Sequence, residues 1–164
     1  MTTTKIIGRL SKAANALAVI MLFAMFAHIL IEIVLRNVFE TSTFVLDEFV
    51  GYAVASLTFL GLGEAFHKKT LIEVTILKDW VTPRKRLYFE LFSSLSCVFI
   101  GALLTFYIGR SVFKNFERHT ISSSVAEVPQ FIPEGLLLIG GFIFLLRVLE
   151  KLFEVFSKLT GKEA

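Results

Sequence analysis

In the 164 residues of this chain, 55% are hydrophobic and 18 are Phe, and the mean hydropathy is +0.73, against the roughly 45–50% apolar content of soluble domains. A bilayer-crossing helix takes about 20 largely apolar residues, so this length holds four spans and leaves no room for a second, soluble domain. The net charge of +3 comes mostly from Lys and Arg beside apolar runs, where they set topology; nucleic acid is excluded as a partner. The single Cys97 sits inside an apolar run, which excludes an intrachain disulfide or a thiolate metal site and leaves the redox compartment unreadable.

The first span is predicted over about 14–35, behind Lys5, Arg9 and Lys12. Its apolar run exceeds a signal-peptide core and lacks a clear small-x-small cleavage site, so it is read as a retained membrane helix. The second span, about 47–66, opens on Asp47 and Glu48, acids that suit the positive end of a helix dipole. Residues 71–81 mix Leu71, Ile72, Val74, Ile76 and Trp80 with Lys78 and Asp79, which predicts a helix lying flat at the bilayer surface.

Thr82-Pro83 is a cap-and-first-turn pair for the third span, about 83–107, because proline suits the first helical position. From Lys114 to Ile132 the chain turns polar, passes Ser122-Ser123-Ser124 and reaches Pro129 and Pro133. Prolines so spaced discourage a continuous helix, so an ordered turn or a partly re-entrant segment is expected. The fourth span runs from Pro133-Glu134 to about residue 153. Thirteen Lys/Arg fall in the N-terminal arm, the middle loop and the C-terminal end, and four in the other two loops. The predicted fold is therefore an all-α membrane bundle of four transmembrane helices with both termini in the cytoplasm.

Several polar residues at membrane depth are candidates for more than packing. His28 and Glu32 share a helix face, and Glu32 stands four residues before Arg36, so a proton relay and a structural ion pair both fit an acid whose burial in lipid is costly. Asp47 and Glu48 lie at about the depth of Arg36 and predict a fixed ion pair that ties the first hairpin or reaches a partner, or else simple compensation of the helix dipole by solvated carboxylates. Ser93, Cys97, Gly101, Thr105 and Gly109 recur every four residues in the third span, a stripe on which a helix can pack closely. Its occupant is either a partner helix or a neighbour within the bundle. Gly51 with Ala55 and Gly140-Gly141 are shorter versions. Arg147 is expected to snorkel to the interface or to pair with Glu150 or Glu154. His28, His67 and His119 lie in a helix and two different loops, so they build neither a metal site nor bis-histidine haem ligation. No phosphate loop or nucleophile motif is present, and no enzyme or cofactor is expected.

Four elements in order resemble the small membrane subunit, the DctQ type, of tripartite ATP-independent periplasmic (TRAP) transporters. They are Arg36-Asn37-Val38-Phe39, Asp47-Glu48-Phe49, Leu60-Gly61 with Glu64-Ala65-Phe66 and a short basic turn, and the Ser-rich stretch leading to Val128-Pro129-Gln130-Phe131-Ile132-Pro133. Val45 and Leu71-Ile72 stand where that family often has Trp and His-Ile.

The resemblance implies a non-catalytic subunit in the bacterial or archaeal cytoplasmic membrane. It would scaffold a large, sodium-coupled elevator subunit that takes up an organic acid, and help dock a periplasmic substrate-binding protein. On that reading Arg36, Asp47, Glu48, Ser93, Cys97, Gly101 and Thr105 are candidates for the subunit interface, and Arg110, Lys114 and Arg118 for the docked binding protein. The alternative from another class is a small multidrug-type proton antiporter using Glu32, whose members have tighter loops than the roughly 20-residue connections here.

Overall fold

The computed structural model describes residues 2–71 and 83–160. Four helices account for most of them: α1 (Thr2–Val38), α2 (Leu46–His67), α3 (Pro83–Glu117) and α4 (Phe131–Leu159). Each helix satisfies its own backbone groups, which hydrocarbon demands because it offers no hydrogen bonds. By length and apolar content α1, α2 and α3 can cross a membrane. The predicted interfacial helix, residues 71–81, lies outside the described residues except for Leu71.

Helix ends follow local chemistry only in part. Pro83 is the first residue of α3, as expected, and Pro133 sits in the first turn of α4, two residues after its start, where the missing amide costs nothing. Helix α1 begins about a dozen residues before its predicted span, and α3 runs ten past its own, so Lys114–Glu117, read as the start of a polar loop, is helical. Both α2 and α3 close with a left-handed residue, Lys69 (φ 55) and His119 (φ 48). The next amides, of Thr70 and Thr120, reach back to Ala65 and Asn115 carbonyls at 3.1 Å, the closing bonds of a Schellman turn made without glycine.

Helix α2 packs between α1 and α4, α3 packs on α4, and α1 also reaches α4. The core is small: Ala14, Ala18, Leu60 and Ile143, flanked by Met21 and Leu57. Large apolar side chains such as Phe23, Phe92, Phe99 and Phe106 point outward, the reverse of a water-soluble bundle. Closeness is set by glycine. A Cβ on Gly140 would stand 2.5 Å from the Phe59 carbonyl carbon, and one on Gly63 3.3 Å from Ile143, so α2 and α4 touch nearly backbone to backbone.

The small-residue stripe of α3 also meets α4. A Cβ on Gly101 would lie 3.3 Å from both Leu145 and Phe144, one on Gly109 3.4 Å from Leu138, and one on Gly141 3.0 Å from the Thr105 hydroxyl. Gly101, Thr105 and Gly109 thus face a helix of their own chain. Ser93 is exposed and its neighbour Ser94 is buried instead, because a four-residue repeat drifts about 40° per step around a helix of 3.6 residues per turn.

The connection from α3 to α4 is an ordered hairpin-like turn, closed by Ser122 N–H to Val128 C=O (2.9 Å) and Gln130 N–H to Thr120 C=O (3.0 Å). It meets the expectation of an ordered turn.

Candidate functional site

The polar side chains at the helix ends gather around carboxylates. At the end of α1, Glu32 is 1% exposed. One oxygen accepts from Arg36 Nε (2.8 Å) and the Ser42 hydroxyl; the other accepts from Thr43 N–H (3.1 Å) and Thr43 Oγ1 (2.6 Å). Both oxygens are engaged, and the acid ties the α1–α2 connection to the helix before it. The i, i+4 pair with Arg36 is the structural one of the two readings of Glu32. His28 turns elsewhere, its ring edge-on to Phe49 at 5.9 Å.

The expected ion pair between Arg36 and the acids of α2 does not form. Arg36 folds back along its own helix onto Glu32, which the four-residue spacing makes the shorter reach. Asp47 is exposed and has no hydrogen bond or ion pair among the described residues. Glu48 turns the other way and accepts from Tyr52 Oη (2.6 Å) and from the Ser124 hydroxyl in the α3–α4 connection. The Ser-rich stretch is thus a set of ties: Ser122 and Ser124 also accept the amides of Val128 and Ala126, both at 3.2 Å. A third acid at this end, Glu134, accepts from Ser111 (3.1 Å) and Asn115 (2.9 Å), fixing α4 to α3.

The opposite end of the bundle holds a cluster that sequence reading missed. Glu64 of α2 and Arg147 of α4 are each 3% exposed, with Arg147 Nη2 3.8 Å from Glu64 Oε2. The same carboxylate accepts from Ser11 of α1 at 2.9 Å and meets Lys68 at 3.3 Å, while Arg147 Nη1 binds Glu150 at 2.9 Å. Three helices are joined at one buried acid. Arg147 does pair with Glu150, as one expectation had it, but it does not snorkel: the first turns of α1 cover it, with Gly8 close enough that a Cβ there would lie 3.6 Å from Nη2. The sequence signal was faint, a lone Glu and a lone Arg each inside an apolar run.

Beyond that cluster on α4, Lys158 Nζ lies 2.6 Å from Glu154. The hydrogen bond to Lys158 holds the Glu154 carboxyl below its ordinary range, and the same bond raises the Lys158 ammonium. Both are over half exposed, so the pair adds little to stability.

Two hollows open on the surface of the described residues. An open concavity of about 710 Å³ runs along α3, lined by Arg110, Lys114 and Arg118 with Tyr107, Phe113 and Glu117. A cleft of about 270 Å³ between α1, α2 and α4 is lined mostly by apolar groups such as Met21, Met25 and Leu136, with His28 and Tyr52 among them.

These features sit within one recognisable stretch of sequence. The family model described as "Tripartite ATP-independent periplasmic transporters, DctQ component" matches residues 25–158. The chain belongs to the DctQ family. As a DctQ component it is a small subunit of a tripartite transporter and a multi-pass membrane protein. None of the curated proteins compared with it matches it. Within DctQ the matched residues include the Glu32, Glu48, Glu64 and Glu134 clusters; Ser11, which completes the Glu64 cluster, precedes them.

Proposed function

We propose that this DctQ chain is a four-span scaffold with both termini in the cytoplasm, bracing a large sodium-coupled subunit that imports an organic acid. The observation that carries this reading is where the buried charges go. Among the described residues, Glu32, Glu64 and Arg147 all bind partners inside the chain. A substrate or sodium site needs charge or polar oxygens left open to the ligand, and these are engaged in holding helices together. Glu32, the residue a proton antiporter would use, has both oxygens occupied by a loop that it orders.

The faces left for a partner are the outer sides of α1 and α3 with their exposed Phe residues. At the loop end exposed Arg36 and Asp47, with Glu48 beside them, and along α3 Ser93 and Cys97 extend the surface offered to the large subunit. Gly101 and Thr105 contribute to it indirectly, by seating α3 on α4. The exposed row of Arg110, Lys114 and Arg118 suits docking of an acidic surface on the periplasmic binding protein.

The test is sodium-driven uptake by proteoliposomes containing the large subunit and binding protein, with and without this chain. Uptake is expected to fall to background without it; undiminished uptake overturns the scaffold role. Arg110→Glu together with Arg118→Glu is expected to raise the concentration of binding protein needed for half-maximal uptake.

A further inference from the structure

Helix α1 carries a basic first stretch, continuous with its outer face, to which neither the bundle nor the scaffold reading gives a role. It is 37 residues long, about 55 Å at 1.5 Å per residue, against a hydrocarbon core of about 30 Å. Its polar first turns must therefore stand at headgroup depth or beyond when its apolar part spans the bilayer.

Lys5, Arg9 and Lys12 are all exposed in these turns, and none has an ion pair among the described residues. Their i, i+4, i+7 spacing puts them on one side of the helix, roughly opposite the side on which Ser11, Ala14 and Ala18 are buried. Among the other described cations at this end, Lys69 is likewise exposed without an ion pair, whereas Lys68 binds Glu64, Arg147 binds Glu64 and Glu150, and Lys151 and Lys158 bind Glu154.

Continued up the helix, the same side presents Ala16, then Ile20 at 64% and Phe23 at 68% exposure. From Lys12 to Ile20 is about 12 Å along the axis. One face thus reads as three unpaired cations at headgroup depth followed by a small residue and exposed apolar groups at acyl-chain depth.

We propose that this face of α1 is a binding site for an anionic phospholipid, with the phosphate held by Arg9, Lys12 and Lys5 and an acyl chain lying along Ala16, Ile20 and Phe23. Charge decides the ligand class: a zwitterionic lipid brings no net charge to three cations, whereas an anionic headgroup near a membrane surface is attracted by each of them. The proposal needs α1 to cross the bilayer; it does not depend on the scaffold role.

Native mass spectrometry of the full-length chain in detergent, titrated separately with phosphatidylglycerol and phosphatidylcholine of identical chains, tests it. The wild-type chain is expected to retain phosphatidylglycerol on the order of tenfold better. Lys5→Gln/Arg9→Gln/Lys12→Gln is expected to bring it to the phosphatidylcholine level, with helicity by circular dichroism unchanged because all three side chains are exposed. Lys151→Gln/Lys158→Gln, which also removes positive charge, is expected to keep the preference. Equal retention of the two lipids by the wild type, or an undiminished preference in the triple variant, overturns the site. So does an equal loss in the Lys151/Lys158 variant, which would make the effect one of net charge. Loss of the large subunit from a pull-down by the triple variant, with lipid retention unchanged, would assign the face to a protein contact instead.

Discussion

At the level of single residues, Gly140 and Glu32 are the positions where one atom or one charge matters. A methyl group at Gly140 meets the Phe59 carbonyl carbon at 2.5 Å and the Leu60 nitrogen at 2.7 Å. These are backbone atoms that cannot rotate away, so Gly140→Ala is expected to destabilise the chain by about 1–3 kcal/mol. Gly51→Ala, with nothing within 4 Å of the added carbon, is expected to leave the thermal midpoint in detergent unchanged. Glu32→Gln replaces an acceptor of four hydrogen bonds by an amide whose nitrogen faces donors. A loss of about 1–3 kcal/mol is expected, read as a lower midpoint and faster proteolysis of the 39–45 connection. The Glu32–Arg36 pair was legible in the sequence because its spacing alone brings the groups together. Which of Glu48's possible partners it takes was not, since Ser124 arrives from a distant connection.

Between elements, the Glu64 cluster has the largest predicted effect, because it joins α1, α2 and α4 through one buried acid. The two charges are not equivalent. Without Glu64, Arg147 keeps Glu150 at 2.9 Å; without Arg147, Glu64 keeps Ser11 and the Lys68 ammonium at 3.3 Å, on a side chain that is 59% exposed. Removing one partner of a buried pair costs about 3–5 kcal/mol, so Arg147→Gln is expected near that range and Glu64→Gln below it. The double variant is expected to lose less than the sum. Strict additivity in the thermal midpoints would show that the two charges do not interact. Hydropathy made the helices themselves legible, since apolar runs of this length have few alternatives. It located spans rather than helices, however, which is why the polar ends of α1 and α3 were missed: they are helical by continuation, where hydropathy carries no signal. The α3 stripe was recognised but its occupant was not, because small residues mark a close approach and do not name the neighbour.

On the scale of the whole molecule, the arrangement predicts which parts face which side of the membrane. The proposed four spans would place the α1–α2 and α3–α4 connections on one side and both termini on the other. In a Cys97→Ala background, a membrane-impermeant maleimide is expected to label Ser123→Cys from outside intact cells. Lys12→Cys and Lys158→Cys are expected to react only after the membrane is opened. Labelling of Lys158→Cys in intact cells would mean that α4 does not cross, and would leave three spans. Family membership was legible from the order and spacing of short motifs across residues 25–158.

The contact order also bears on how the chain is made. The α1–α2 hairpin can close as soon as its second helix leaves the ribosome, whereas α3, next in the sequence, has its main neighbour in α4, which follows it. Until α4 arrives, the Phe59–Leu60 surface of α2 and the Gly101–Thr105 surface of α3 both face lipid. Helix α4 is therefore the element that joins the other three: a nascent chain released before residue 131 would carry a finished hairpin and an unmated α3, without the helix that bridges them in the bundle.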